Sequence, residues 1–549
     1  MNLFRNLYLS CTALLLISLS VSSQTVQPQK LPRPKLVVGL VVDQMRWDYL
    51  YRFYDRYGAG GFKRMLREGF TCENTFINHL PSVTAIGHST IYTGTVPAVH
   101  GITGNAMLFN STGVKMNCVA DENVQGVGTD LPVGKASPFN LLASTIGDEL
   151  KLATNFRSKV IGISLKDRGA ILPAGHAANA AYWFSTKEGK FITSTYYMKA
   201  LPAWVTSFNG LNLSKKYLLQ DWKTMYPVET YVQSSPDDVP YEGLLKGQKK
   251  SVFPVETSKA FTEDDYSVIY STPYGNSIVL DFAKAAIDAE RLGGGNETDM
   301  LTVSLSSTDA IGHMKGVNSV EIEDTYLRLD AELANFFSYL DKKVGKGNYT
   351  LFLTADHGAS GNGKFLSEGK LKINDEADML EERLGKALES QFKVAKLIKE
   401  MSYSQVRFNF QLLREKKINE EEISKFCVDF LKKEPSIAYV VDNNKIGDAS
   451  VPEEIKTKII NGYNPERSGA IHFIYSPNAI SLKSKGSSHS KWNPYDSKIP
   501  LLWMGWGINQ GSLVREIHMQ DIAPTVTTLL RIQNPNGSIG KAIPEVLKK

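Results

Sequence analysis

The fold is decided by the stretch Leu36-Val-Val-Gly-Leu-Val-Val-Asp43, an uninterrupted apolar run that ends in a carboxylate. A strand that is apolar on both faces belongs inside a parallel sheet, where helices cover both of its sides. Further apolar runs of strand length follow at residues 160–165, 300–305, 349–354 and 499–504. These runs predict the buried strands of one sheet, with Asp43 at the carboxyl end of the first.

Amphipathic helices are predicted between these strands, at residues 61–68, 277–292 and 319–344. In the last segment the apolar residues Val320, Leu327, Leu333 and Leu340 recur close to helical spacing. Strand and helix therefore alternate along much of the chain. This alternation predicts an α/β fold, a doubly wound and mostly parallel sheet with helices on both faces.

The chain of 549 residues, 42% of them hydrophobic, is long enough for one large domain with insertions. Residues 1–23 combine an early arginine, an apolar stretch and small residues, which predicts a cleavable signal peptide and export. A linker at 24–35 precedes the main domain at 36–535, and a tail follows at 536–549. Two stretches, at about 171–270 and 365–485, interrupt the alternation, and we expect them to form a cap or side lobe.

Charge and cysteine content restrict the partners of the protein. Its 62 basic and 57 acidic residues give a formal net charge of +5 without a long basic run, so nucleic acid is not a predicted partner. Cys72, Cys118 and Cys427 follow the signal peptide. An oxidising compartment permits a bridge between Cys72 and Cys118, but buried free thiols are an equal alternative, because spacing does not establish connectivity.

Six candidate metal ligands stand at or just after the ends of apolar runs. Carboxylates and imidazoles in equal number suit a pair of divalent transition metals, with zinc the first choice. Since ligands bind beyond the carboxyl ends of the strands in such sheets, residues distant in sequence can meet there. The six are Asp43, Asp309, His313, Asp356, His357 and His489.

The segment 81–94, Pro-Ser-Val-Thr-Ala-Ile-Gly-His-Ser-Thr-Ile-Tyr-Thr-Gly, predicts a loop that enters a helix, with Thr84 in the first turn. A hydroxyl there faces unpaired backbone amides and the positive end of the helix, which favour a phosphate or sulfate oxyanion. Taken alone, Thr84 is better explained as an N-cap residue. The nearby ligand set favours the anion site.

Three further motifs accompany these residues: His100-Gly101 with Asn105, Lys166-Asp167-Arg168, and Tyr495-Asp496 after His489. With them the chain resembles the alkaline phosphatase superfamily from about residue 36 to 530. It is most similar to the monomeric, exported, phosphate-irrepressible alkaline phosphatases that use a threonine nucleophile. The resemblance implies an alkaline phosphatase-like fold and two zinc ions per chain.

The resemblance also implies a role for each matching residue. One zinc would be held by Asp309, His313 and His489. The other would be held by Asp43, Asp356 and His357, with Thr84 bound to it as the nucleophile. Asn105, Lys166 and Arg168 would contact the phosphoryl oxygens. Ser490 departs from the pattern, because relatives often have glycine there. Core or surface roles are expected for the other histidines, at positions 79, 88, 100, 176, 472 and 518.

The predicted function is hydrolysis of small phosphate monoesters, with a broad substrate range, through a phosphothreonine at Thr84. Two zinc ions, three aspartates and a Thr84 alkoxide sum to a formal charge of zero. Lys166 and Arg168 then add two positive charges, which match a monoester dianion better than a diester. The protein is expected to be a periplasmic or secreted monomer without a stable membrane anchor.

Four alternative functions compete with this prediction. A nucleotide pyrophosphatase or phosphodiesterase of the same superfamily would share all six ligands. A sulfatase is disfavoured because the chain has no Cys-X-Pro-X-Arg motif, and a cofactor-independent phosphoglycerate mutase would be cytosolic. An exported protein that sequesters zinc or phosphate would need no threonine at a helix start.

Overall fold

The computed structural model describes residues 31–375 and 379–548. Residues from Pro34 onward form one compact unit. The predicted signal peptide and most of the predicted linker lie outside the described residues. Within the described ranges, no helix has both the length and the apolar character needed to cross a bilayer.

Nineteen strands in the described part of the chain form four sheets, of ten, four, three and two strands. In chain order they are β1 (Leu36–Val42), β2 (Phe70–Cys72), β3 (Thr75–Phe76), β4 (Ala106–Leu108), β5 (Lys115–Asn117), β6 (Gly126–Val127), β7 (Val160–Ser164), β8 (Ala180–Ser185), β9 (Lys190–Ser194), β10 (Asp299–Leu305), β11 (Tyr349–Thr354), β12 (Ile398–Ser402), β13 (Gln405–Phe408), β14 (Ile437–Asp442), β15 (Ile471–Tyr475), β16 (Lys498–Ile499), β17 (Leu501–Gly505), β18 (Gly511–Leu513) and β19 (Ile517–His518).

The α-helices of the described residues pack around these sheets. In chain order they are α1 (Tyr49–Arg52), α2 (Phe62–Glu68), α3 (Thr84–Thr93), α4 (Pro97–His100), α5 (Ile146–Ala153), α6 (Asp167–Ala174), α7 (Ala203–Gly210), α8 (Leu213–Leu218), α9 (Thr257–Ala260), α10 (Tyr274–Glu290), α11 (Ser307–Lys315), α12 (Val320–Leu340), α13 (Gly363–Glu368), α14 (Leu380–Phe392), α15 (Phe410–Lys416), α16 (Glu420–Leu431), α17 (Glu453–Gly462), α18 (Pro494–Ser497) and α19 (Ile522–Leu530).

The ten-stranded sheet has the order β18-β2-β17-β11-β1-β10-β7-β8-β9-β6. Its middle strands, from β11 to β8, are parallel, and β17 and β9 join them antiparallel. Every residue of β1, β10 and β11 is buried, so both faces of the sheet are covered. The predicted doubly wound, mostly parallel α/β fold is confirmed.

The register of β1 places the strand ends side by side. Val42 pairs with Leu305 of β10, and Val41 pairs with Thr354 of β11. The residues that follow these strands therefore leave the sheet at one edge. This edge carries the candidate functional residues.

The run at 499–504 is not one strand. It is divided at Pro500 into β16 and β17, because proline has no backbone N–H to donate to the ladder. β17 joins the central sheet antiparallel to β11. The predicted helices at 277–292 and 319–344 are α10 and α12, and a π-helical turn at Asp341–Gly345 follows α12.

The two predicted insertions have different relations to the central sheet. Within 171–270, β8 and β9 belong to that sheet, so only the residues after β9 leave it. The aromatic residues of β8 are buried sheet residues. The stretch 365–485, called the side lobe below, has its own four-stranded sheet of β12 to β15.

The last residues of the chain pack against the main body. Ile543 and Val546 are fully buried, and the carbonyl of Val546 accepts a hydrogen bond from the backbone amide of Asn509. The predicted tail at 536–549 is therefore partly integrated into the domain. Cys72, Cys118 and Cys427 are buried free thiols, so the structure contains no bridge between Cys72 and Cys118.

Candidate active site

The predicted acidic ligands lie at the carboxyl ends of the parallel strands. Asp43 directly follows β1, and Asp356 follows β11 after one intervening residue. Asp309 lies in the first turn of α11, which begins after β10, and Lys166 precedes α6 after β7. All four side chains are buried.

The Lys166 ammonium lies between two of these carboxylates. Its Nζ is 2.6 Å from Asp43 Oδ2 and 2.7 Å from Asp309 Oδ2. Burial and the charges of Asp309 and Asp356 raise the pKa of Asp43 well above its usual value. Burial also favours a higher pKa for Asp309, but Lys166 and His313 outweigh it and hold that pKa well below its usual value. The site is thus a dense arrangement of buried, interacting charges.

Three imidazoles face the carboxylates through their Nε2 atoms. His357 Nε2 is 3.5 Å from Asp43 Oδ1, His313 Nε2 is 3.2 Å from Asp309 Oδ1, and His489 Nε2 is 3.9 Å from that same oxygen. The rings of His357 and His489 stack with centroids 3.6 Å apart.

A backbone carbonyl fixes the tautomer of each imidazole. The Nδ1 atoms of His313, His357 and His489 lie 2.9, 2.9 and 2.7 Å from the carbonyl oxygens of Ser487, Gly358 and Ser82. A carbonyl oxygen can only accept, so each Nδ1 carries the proton and each Nε2 keeps a free lone pair. This is the orientation that a metal-binding histidine requires.

The ligand atoms fall into two compact groups that share one histidine. Asp43, Asp356 and His357 form the first, and Asp309, His357 and His489 form the second. The first matches the set expected from the resemblance. In the second, His357 takes the place expected for His313, whose side chain is 41% exposed beside Asp309.

The donor set fits divalent cations. Asp43 Oδ1 and Asp356 Oδ2 are buried and have no hydrogen-bond partner among the described residues. Buried carboxylate oxygens are costly unless they are paired or bind a metal. The chemistry of the two groups, oxygen and imidazole nitrogen, suits zinc and related ions.

Thr84 is the first residue of α3, as the sequence predicts, and lies beside the ligand groups. It is 2% exposed, and its Oγ1 is 3.5 Å from His357 Nε2. Helix α3 can approach this closely because of Gly87, where a Cβ would come within 2.4 Å of the Asp356 carbonyl oxygen. A hydroxyl is thus held at a helix start beside two metal-ligand groups.

The remaining predicted residues, Asn105 and Arg168, lie near Thr84 and Lys166. Asn105 Oδ1 accepts a hydrogen bond of 2.9 Å from the backbone amide of Ala85, the residue after Thr84. Arg168 lies in the first turn of α6. Burial favours a lower pKa for Arg168, but the charges of Asp167 and, to a smaller extent, of Cys118 and Asp43 outweigh it and raise that pKa. Its Nε is buried without a hydrogen-bond partner in the described structure. Asn105 thus contacts the first turn of α3, and Arg168 lies two residues after Lys166.

One residue that hydrogen-bonds two of the candidate ligands was not predicted from the sequence. Gln44 donates from Nε2 to Asp309 Oδ1 at 2.7 Å and from its backbone amide to Asp356 Oδ1 at 3.1 Å. Its position directly after Asp43 was the only available signal.

His88, expected to have a packing or hydrogen-bonding role, lies with Nδ1 2.9 Å from the Thr84 carbonyl and Nε2 2.8 Å from Ser304 Oγ.

Ser490 has a backbone φ of 89°, which lies in the region that favours glycine. Ser490→Gly is therefore expected to stabilise the protein by about 1 kcal/mol, because the strain of a non-glycine residue is removed. Thermal unfolding of the purified variant measures this effect. Ser488→Gly, at a neighbouring residue without a positive φ, is the control and should destabilise; a decrease of similar size at both positions would contradict the prediction.

A doubly wound sheet whose strand ends combine carboxylates, imidazoles and a helix-initial threonine defines a member of the alkaline phosphatase superfamily. More specifically, the chain belongs to the type I phosphodiesterase / nucleotide pyrophosphatase family, whose model matches residues 37–496.

Relatives of the chain match it along nearly its whole length. A protein named calcium-transporting ATPase from Myroides odoratus is 52% identical over 526 residues, 95% of this chain and 96% of that protein. Alkaline phosphatase PhoV from Synechococcus elongatus is 51% identical over 528 residues, 95% of each. The crystal structure of wild-type alkaline phosphatase PafA shares 50% identity with a TM-score of 0.92, covering 94% of this chain and 99% of that one.

Proposed function

We propose that the chain is an alkaline phosphatase, a metal-dependent phosphate monoester hydrolase with Thr84 as its nucleophile. The observation that carries the proposal is the Thr84 hydroxyl, 3.5 Å from His357 Nε2 at the border of two metal-ligand groups. PhoV and the PafA structure, both about half identical to the chain, support it. The relative named as a calcium-transporting ATPase is similar over the same span, so the names of relatives alone do not decide the function. The chemistry of the site is the stronger support.

Two divalent ions, with zinc the first choice, would be held by the six predicted ligands. Asp43, Asp356 and His357 would hold one, and Asp309, His313 and His489 the other, with His357 close to both groups. Bound ions of this kind lower the pKa of a coordinated hydroxyl and neutralise charge that develops on oxygen.

The chain's own residues would then carry out two displacements at phosphorus. Thr84 Oγ1 would lose its proton to solvent and bond to phosphorus while the bond to the leaving oxygen breaks, which gives a phosphothreonine. The leaving oxygen would take up a proton from solvent. Water then cleaves that ester and restores the hydroxyl, with net retention at phosphorus. Asn105, Lys166 and Arg168 would donate to the non-bridging oxygens.

The preference for monoesters follows from the charges around β7. Lys166 and Arg168 both follow the carboxyl end of this strand, and two cations match the two charges of a monoester dianion. The alternative is a nucleotide pyrophosphatase or phosphodiesterase, which the description of the matching family favours. The composition of residues 1–23 supports export to the periplasm or the medium, where small phosphate monoesters would be the substrates.

Metal content and substrate choice test the proposal together. We expect about two zinc ions per chain by elemental analysis, and a higher kcat/KM for an aryl phosphate monoester than for the matching diester. Chelation should abolish both activities and lower the melting temperature, because ions that bind only the folded state stabilise it. Faster diester hydrolysis would favour the alternative. A metal-loaded protein that binds phosphate without turnover would identify a binding protein.

A further inference from the structure

The side lobe sends one hairpin to the border of the candidate active site. Strands β12 and β13 are joined by a two-residue turn, in which Ser402 pairs with Gln405. The turn residues Tyr403 and Ser404 have φ values of 53° and 58°. A bulky side chain rarely adopts such a conformation, and the strain persists only where the surroundings impose it. The contacts of Tyr403 therefore indicate what the hairpin does.

Tyr403 packs against the segment that precedes Asn105. A Cβ at Gly104 would come 2.7 Å from Cε2 of the tyrosine, so the ring lies directly on this backbone. The ring also packs against the buried apolar cluster that contains Val83 and Ala85, on either side of Thr84. Burial raises the pKa of the Tyr403 phenol, and the nearby backbone amide of Asn105 opposes this rise in part.

Asn105 is held by two hydrogen bonds and by the Tyr403 ring, which packs on the preceding residue Gly104. The Asn105 carbonyl accepts from the amide of Cys118 at 3.0 Å. Its side-chain Oδ1 accepts from the amide of Ala85 at 2.9 Å. Within residues 31–375 and 379–548, no hydrogen bond from its side-chain NH2 group is found. This group is the donor that remains for a bound phosphoryl oxygen.

We propose that Tyr403 is a positioning residue that fixes the Asn105 amide in the orientation needed to contact the transferred phosphoryl group. The inference rests on the proposed function, in which Asn105 makes that contact. A donor that is already oriented stabilises developing charge without reorganisation, and small displacements of such a donor are costly. The side lobe thus contributes to the reaction although Tyr403 touches no substrate.

A double-mutant cycle tests this role. Tyr403→Phe keeps the ring and removes the hydroxyl, and kcat/KM for an aryl phosphate should fall about 3- to 10-fold. Tyr403→Ala removes the ring too and should lower it up to about 100-fold, mainly through kcat. In an Asn105→Ala background, each Tyr403 substitution should change kcat/KM less than about 2-fold, because the residue it positions is absent.

A second contact of the same hairpin provides the control. Glu400 of β12 forms an exposed ion pair of 3.0 Å with Lys115 of β5, and among the described residues no hydrogen bond joins it to Asn105. Glu400→Gln should leave kcat/KM within about 2-fold, as expected for an exposed pair. Melting temperatures of all variants show whether any loss of activity comes from unfolding.

The outcomes separate the inference from the proposed function. Equal losses from Tyr403→Phe and Tyr403→Ala in both backgrounds would show a general structural role and overturn the inference. Unchanged kcat/KM in both Tyr403 variants would also overturn it. An inert metal-loaded wild-type protein would reject the proposed function itself. Wild-type activity that falls with Asn105→Ala, with additive effects of Tyr403, would reject only the inference.

Discussion

Metal-loaded Thr84→Ala protein is expected to hydrolyse phosphate monoesters at least about 1,000-fold more slowly than the wild type, because the attacking hydroxyl is gone. Thr84→Ser keeps a hydroxyl and should retain much of the activity. Steady-state rates with an aryl phosphate measure both effects. Acid quenching during turnover, followed by mass spectrometry, should detect a phosphate on the peptide that contains Thr84 in the wild type and none in Thr84→Ala.

Thr93→Ala is the matched control for this experiment. Thr93 is the last residue of the same buried helix, and its hydroxyl donates to the Ser89 carbonyl at 2.7 Å. We expect this variant to lose some stability but to keep kcat within about 10-fold. Thr84→Ala protein with wild-type metal content and a rate within 10-fold of the wild type would exclude Thr84 as the nucleophile.

Removal of both cations after β7, in Lys166→Ala with Arg168→Ala, is expected to lower kcat/KM for a monoester about 100- to 10,000-fold. Each charged hydrogen bond contributes about 1.5–3 kcal/mol, and a dianion loses more than a diester monoanion. The loss for an aryl diester should therefore be much smaller. Parallel assays of the two substrates measure the difference.

The two single variants should show how much of this loss of kcat/KM comes from each cation. Lys166 also pairs with Asp43 and Asp309, so Lys166→Ala is expected to disturb the positions of two ligand carboxylates and to slow both reactions. Arg168→Ala should act mainly on the monoester. Arg157→Ala with Lys159→Ala removes the same charges before the amino end of β7, where they pair with Glu297 and Glu290, and should leave both rates nearly unchanged. Equal losses for both substrates in the double variant would refute the argument from charge.

The central strands and the residues at their ends were predictable from sequence because each strand is mostly apolar and a polar residue follows at or near its end. Asp43 after β1 and Asp356 after β11 are examples, and β11 has the predicted bounds. The aromatic segment at β8 was not predictable in the same way. Its two alanines followed by three aromatic residues do not distinguish a central strand from a cap.

Contacts between distant residues set the limit of prediction within the site. Lys166 was expected to face substrate, but the position of its flexible side chain depends on two carboxylates supplied by other strands. Tyr403 is far from Asn105 in sequence, and no motif marks it. The place of His357 between both ligand groups likewise depends on how the strands align.

The three imidazoles are oriented by main-chain oxygens of Ser82, Gly358 and Ser487, and not by side chains. Every amino acid carries such an oxygen, so the neighbouring positions can change identity without turning the rings, provided that the loop paths persist. During evolution, the side chains around the histidines can therefore change independently of the histidines. Residues beside the histidines can then differ among relatives while the orientation of the three rings stays the same.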